Sequence, residues 1–213
     1  MAWSRPFRRQ ELRVVLLGNV GSGKSASGNT LLGTSRFACK VSACPVTHQC
    51  EAETVTREWG KITMVDTPGL TAEIVTDTKE KLLRCLQLSA PGPHVFLLVI
   101  PLGRFTQEEK DTVQRAAQLF KEHFYTFTII LFTFKDNLKN SSISEYISTA
   151  GEGLQQLLQK CGHRYHAFNN NNPTEYDQAE QLSWKMNSLV QKNFRTYYTL
   201  DDRSKYTETL GIC

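Results

Sequence analysis

The sequence predicts a doubly wound α/β domain built on a mostly parallel six-stranded sheet. Three observations predict it. An apolar, β-branched run, Leu12–Gly18, passes directly into a glycine-rich turn and then into a helix-forming stretch. Strand-length apolar runs then alternate with longer helical stretches along the chain. The residues able to do chemistry fall at the ends of the strand runs, where the carboxyl edge of such a sheet collects them.

In chain order, strands are expected near Leu12–Gly18, Cys50–Arg57, Lys61–Asp66, His94–Leu102, Phe127–Thr133 and Tyr165–Phe168. Helices are expected near Lys24–Leu32, Thr78–Ser89, Gln107–His123, Ile143–Cys161 and Asp177–Thr196. The second strand begins Glu51-Ala52-Glu53-Thr54-Val55, which alternates poorly and suits a sheet edge. Asn169 to Asn172, before Pro173, reads as a loop. Residues 1–10 form an extension, 11–198 the domain, and 199–213 a polar tail.

The turn after the first strand is Gly18-Asn19-Val20-Gly21-Ser22-Gly23-Lys24-Ser25, followed by Ala26. It fits G-x-x-x-x-G-K-[ST]. Its glycines let successive N–H groups turn onto a phosphate, Lys24 brings charge to the β/γ oxygens, and the Ser25 hydroxyl is placed for Mg²⁺. The alternative, a glycine-rich turn with an exposed lysine, does not explain the strand before it and the helix after it. The third strand ends in Asp66-Thr67-Pro68-Gly69. Asp66 there can reach Mg²⁺ through water, and the Gly69 N–H can approach a γ-phosphate.

The base-reading element is expected after Phe127–Phe132, at Thr133-Phe134-Lys135-Asp136. An aspartate in this position accepts from guanine N1–H and the exocyclic amine. Adenine has no such donor pair, which argues for GTP over ATP. Phe134 occupies the place of a long cationic stem along the base plane, and its ring can stack there instead. Gly33–His48 is long and without periodicity, a candidate switch loop, and Phe37 to Cys39 are expected to pass the ribose and base.

With these motifs in place the chain resembles the immunity-associated GTPases (the AIG1, or IAN, family), relatives of septins and of the chloroplast-import GTPases. The likeness runs from about Leu12 to Tyr198. It rests on Gly21–Gly33, on Val65-Asp66-Thr67-Pro68-Gly69-Leu70, on the long box Ser89–Thr106, and on Arg164-Tyr165-His166-Ala167-Phe168-Asn169-Asn170. The resemblance implies a G-domain fold, GTP/GDP with Mg²⁺, and pairing through the nucleotide face as a homodimer or a hetero-oligomer with related GTPases. It implies that Thr47 is the switch threonine that joins Ser25 and Asp66 at Mg²⁺, and that Asn169 and Asn170 lie beside the guanine. The family has Thr-Arg-Lys-Asp where this chain has Thr133-Phe134-Lys135-Asp136.

Many GTPases place a glutamine after Asp-x-x-Gly to orient the attacking water; this chain has Leu70. Slow hydrolysis by the monomer is expected. An arginine supplied to the site accelerates phosphoryl transfer by about 10³–10⁵. Arg104, in the long box at a strand end, is the candidate to act in trans on a partner's GTP, unless it simply pairs with Glu108 or Glu109. The other reading is a GTP-bound assembly scaffold that does not hydrolyse.

Composition sets limits. In 213 residues, 40% hydrophobic content suffices for one core, and a net charge of +4 gives no argument for nucleic acid. Arg5, Arg8 and Arg9 with Trp3 and Phe7 make either a solvated end or a peripheral membrane contact. No apolar run approaches the roughly 20 residues of a membrane span, the start lacks a secretory core, and Ala2 excludes myristoylation. A cytoplasmic protein is expected, with its six cysteines reduced. Cys39, Cys44, His48 and Cys50 lack the paired spacing of a zinc site.

Overall fold

The computed structural model describes residues 11–39, 47, 49–70, 75–172 and 176–200. The basic start, Cys44, His48, Pro173 and Cys213 lie outside them. The chain runs β1 Leu12–Gly18, α1 Lys24–Leu32, β2 Glu51–Arg57, β3 Gly60–Asp66, α2 Val75–Leu88, β4 Val95–Pro101, α3 Gln107–Phe120, β5 Thr128–Thr133, α4 Ile143–Ser148, α5 Glu152–Lys160, β6 Tyr165–Ala167 and α6 Tyr176–Lys192. Short 3₁₀ turns occupy Glu122–Phe127 and Lys135–Leu138.

The sheet order is β2-β3-β1-β4-β5-β6, with β2 antiparallel at the edge and every other pairing parallel. The central strands are buried on both faces, which is why they read as unbroken apolar runs. Alternation divides them: Val14, Leu16, Leu97, Val99, Ile129 and Leu131 pack toward α1 and α6. Val15, Leu17, Phe96, Leu98, Ile130 and Phe132 pack on the other face with α3 and α5. Each such side chain contributes about 1.5–3 kcal/mol of burial. The outcome for function is that the carboxyl ends of β1, β3, β4 and β5 share one edge.

Three helix expectations are corrected. The stretch Ile143–Cys161 is two helices, since Gly151 takes extended backbone (φ −64°, ψ 162°) as the cap of α5, and glycine is a poor helix former. The helix from Gln107 stops at Phe120, where Lys121 turns to φ 58°. The last helix stops at Lys192, because Phe194 and Arg195 lie in the left-handed region. The start of α3 is firmly set: Thr106 Oγ1 accepts from Glu109 N–H at 3.4 Å, and Glu109 Oε2 accepts from Thr106 N–H at 2.7 Å.

The cysteine expectation is also corrected. Cys50 and Cys85 are joined as a disulfide between the start of β2 and α2, their Cα atoms 5.6 Å apart. Cys39 and Cys161 are free thiols, and burial pushes the Cys161 thiol up to about 12.

The first half of the long box is structural. Tyr198 is fully buried; its N–H donates to Pro93 O at 2.8 Å and its hydroxyl to Phe120 O at 2.5 Å. A Cβ on Gly92 would collide with the Tyr198 carbonyl, so only glycine admits this strap. Beside it, Arg13 N–H donates to His94 Nδ1 at 3.0 Å, which leaves the ring proton on Nε2. Arg13 Nη2 stands 3.1 Å from that nitrogen. Charging the ring would take away the Nδ1 acceptor and set a second positive charge beside the Arg13 guanidinium.

Burial first, then Arg13, hold His94 down at about 4, and burial likewise holds His166 at about 4. An unfolded chain takes up these protons near pH 6.5, the folded protein only near pH 4. The contribution of these two rings to stability is therefore expected to be flat above pH 6.5 and to fall as pH drops from 6.5 toward 4, by about 3 kcal/mol for each ring. Denaturant unfolding at pH 7.5 and at pH 4.5 measures this. His94→Gln should start less stable but lose about half as much on acidification; an undiminished loss would exclude His94 as a source.

Candidate nucleotide-binding site

The glycine loop between β1 and α1 is already formed. Gly21 and Gly23 stand at φ +74° and +91°, conformations that side-chain-bearing residues rarely adopt. Lys24 is buried and donates from Nζ to Asn19 O at 2.7 Å across the loop. Burial brings its ammonium down to about 8, so it remains charged at neutral pH, with Asp66 supporting the charge. Among the described residues, Ser22 Oγ in this loop is the buried side-chain oxygen left without a partner.

Three oxygens meet at the mouth of the loop. Ser25 Oγ donates to Asp66 Oδ2 at 2.5 Å, Thr47 Oγ1 donates to the same oxygen at 3.3 Å, and the two hydroxyls are 3.4 Å apart. They come from α1, the segment before β2, and the end of β3. Burial raises the Asp66 carboxyl against the pull of Ser25, Lys24 and Thr47. Two hydroxyls and a carboxylate at one point are a fitting donor set for a hard cation such as Mg²⁺. Gly69 packs against Val20, and a Cβ there would run into the Val20 backbone.

Leu70 cannot orient a water. Its side chain is buried, its N–H donates to Gly18 O at 3.2 Å, and its carbonyl accepts from Arg115 Nη1 at 2.8 Å and Thr112 Oγ1 at 3.4 Å. Thr112 also donates to Asn19 Oδ1. These α3 contacts were not legible in the sequence, since nothing in an exposed-helix pattern marks Thr112 or Arg115 as facing the loop.

At the far side, Thr133 Oγ1 donates to Ser22 O at 2.7 Å, joining the end of β5 to the glycine loop. Phe134 turns into the left-handed region (φ 57°, ψ 46°) and leaves its ring partly exposed, with Lys135 half-buried and Asp136 exposed beside it. Lys135 N–H donates to Phe168 O at 3.0 Å, which brings the loop after β6 alongside. Asn170 then reaches α1, accepting from Thr30 Oγ1 at 2.9 Å and donating to Ser27 Oγ at 3.0 Å. Asn169 Oδ1 accepts from Asn171 N–H at 3.1 Å. It is Asn171, marked by no motif in the sequence, that touches the aspartate: Nδ2 donates to Asp136 Oδ2 at 3.4 Å.

Phe37 is buried in the core, its ring against Gly28. Asn29 holds that turn by accepting from the Phe37 N–H at 2.9 Å and donating to its carbonyl at 2.9 Å. Cys39 stays exposed near Asn29, 3.2 Å from Nδ2. Arg104 is exposed, two residues before the α3 cap, and makes no ion pair with a described residue. Of its two candidate carboxylates, Glu109 is engaged by Thr106. Leu102 N–H donates to Thr133 O at 2.9 Å, so the loop carrying Arg104 is bound to the base-side turn.

The sheet order, the glycine loop with its lysine, and the aspartates closing β3 and following β5 define a P-loop GTPase domain. The chain belongs to the AIG1 family, whose sequence model matches residues 12–210. It is 36% identical over 194 residues to GTPase IMAP family member 8 of Mus musculus, covering 87% of this chain and 28% of that protein. It is 34% identical over 184 residues to Immune-associated nucleotide-binding protein 9 of Arabidopsis thaliana, covering 84% of this chain and 54% of that one. In both cases the chain spans less than two thirds of the relative's length.

Among solved structures, Toc33 from Arabidopsis thaliana in complex with GDP and Mg²⁺ superposes with a TM-score of 0.62 at 19% identity, over 90% of this chain and 88% of Toc33. A dimerisation-deficient arginine-to-alanine variant of Toc33 gives 0.68 at 16% identity, over 85% of each chain. At these identities the likeness is one of fold. Among the described residues no helix is long and apolar enough to cross a membrane.

Proposed function

We propose that this chain is a guanine-nucleotide switch that binds GTP or GDP with Mg²⁺, hydrolyses GTP slowly alone, and pairs through its nucleotide face. The observation that carries it is the convergence of Ser25, Thr47 and Asp66 beside a preformed glycine loop, with Asp136 across the same edge. The residues fit: the loop N–H groups and Lys24 hold the phosphates, while Ser25, Thr47 and Asp66 hold the cation. Mg²⁺ held there would supply charge neutralisation at the phosphates. Asp136 and Lys135 hold the base, with the Phe134 ring beside them. The Thr47 hydroxyl and the Gly69 N–H answer to the γ-phosphate, so their segments distinguish GTP from GDP.

Slow turnover follows from Leu70, whose buried side chain and engaged backbone leave the attacking water unoriented. Arg104 is exposed on a loop fixed to the nucleotide edge, which suits a charge delivered to a partner's γ-phosphate. For the fold relatives Toc33 and psToc159, dimerisation is described as important for GTPase activity. Leu70 also favours a second reading, a GTP-held scaffold that assembles without hydrolysis. GTP turnover per molecule, followed over a wide range of protein concentration with Mg²⁺, separates the two. A specific rate that rises and saturates supports the paired enzyme; a flat, near-zero rate with GTP bound leaves the scaffold.

A further inference from the structure

We propose that Gln178 is the positioning residue of the base side, holding the Asn169–Asn172 loop in the register that lets Asn171 orient Asp136. This rests on the guanine reading above. Gln178 lies in the first turn of α6 and is only 3% exposed. Among the described residues its side-chain hydrogen bonds all go to the loop backbone. Oε1 accepts from Asn169 N–H at 2.9 Å, and Nε2 donates to Asn169 O at 3.1 Å and to Asn172 O at 3.4 Å. One amide thus takes both backbone groups of the first loop residue and the carbonyl of the last.

Beyond β6 no strand pairing remains to hold the loop. Its own bonds, Asn171 N–H to Asn169 Oδ1 at 3.1 Å and Asn172 N–H to Asn169 O at 3.3 Å, shape the turn but do not place it, which is what the Gln178 clamp does. Gln178 is itself anchored, because its carbonyl accepts from His166 Nε2 at 2.9 Å at the middle of β6. His166 is buried and held neutral, and its facing partner is a carbonyl, so Nε2 carries the proton. With the loop ends fixed, its two middle side chains diverge: Asn170 to Ser27 and Thr30 on α1, and Asn171 to Asp136 Oδ2 at 3.4 Å.

The consequence concerns discrimination as well as affinity. A guanine-reading carboxylate needs both oxygens aimed, one at N1–H and one at the exocyclic amine. A carboxylate free to rotate keeps the first bond more readily than both together. Loss of the clamp should therefore cost GDP more than IDP, whose base lacks the exocyclic amine. A residue that only stabilises the fold would weaken the two nucleotides alike.

The test measures GDP, IDP and ADP affinity, GDP release and thermal unfolding for the wild-type chain and Gln178→Met, which keeps the volume and removes all three bonds. The expected result is GDP release at least about tenfold faster and a GDP-over-IDP preference at least about threefold lower, as two or three buried hydrogen bonds allow. Asn171→Ala, on an exposed side chain, should lower the same preference without moving the melting temperature. Unchanged GDP release, or equal weakening of GDP and IDP, overturns the proposal. If Gln178→Met does not fold, Gln178→Glu, which retains the acceptor, takes its place, and failure of both to fold marks a core residue and also overturns it. A wild-type chain that does not prefer GDP to ADP refutes the guanine reading instead.

Discussion

Replacing Arg104 by alanine is expected to leave GTP binding intact while removing the rise of specific activity with protein concentration. The arginine lies on the loop between β4 and α3, exposed and without an ion pair to a described residue. The monomer therefore loses nothing it was using. A paired molecule loses a charge at the γ-phosphate, an effect of roughly 10³-fold or more in rate, equivalent to about 4 kcal/mol of barrier. The check is a concentration series for both proteins, with GTP affinity and dimer formation measured in parallel. A variant that still pairs and still accelerates would remove Arg104 from catalysis. Mixing the variant with a chain that keeps Arg104 but carries Lys24→Ala, and so cannot hold GTP, adds the direction: activity returning in the mixture is the signature of an arginine acting across the interface.

The second large effect belongs to Asp136. Its carboxylate is exposed at the sheet edge and held at one oxygen by Asn171. Two bonds from guanine to a charged acceptor contribute about 1.5–3 kcal/mol each, so Asp136→Asn should weaken GTP by roughly 10²- to 10⁴-fold. The new amide can donate, and xanthine offers a carbonyl where guanine has its amine. The same variant should therefore gain affinity for xanthine nucleotides while losing it for guanine. Titration with GDP and XDP reads both changes. Unaltered GDP affinity would show that the base is held elsewhere, and the Phe134 ring would then be the next residue to remove.

Much of this architecture was legible because its causes are local. A strand buried on both faces must be apolar throughout, so β1, β4 and β5 announced themselves. A phosphate loop needs glycines where the backbone turns and a lysine at a set distance, so Gly18 to Ser25 could be read directly. Helix limits were less legible where a single residue decides them, as at Lys121 and Gly151. The burial of the Phe37 ring was not legible either, because it depends on the gap that Gly28 leaves one helix earlier.

The chain order of motifs was enough for the fold and the glycine loop, and it marked Ser25, Asp66 and Asp136 as candidates, since each depends on residue type and spacing within a few positions. Which side chains serve those residues was decided only by the folded molecule. Thr112 and Arg115 meet Leu70 from more than 40 positions away, Asn171 meets Asp136 across 35, and Gln178 closes the loop from the next helix. A hydrogen bond is set by distance in space and direction, and a sequence records neither until the sheet has brought its strand ends to one edge.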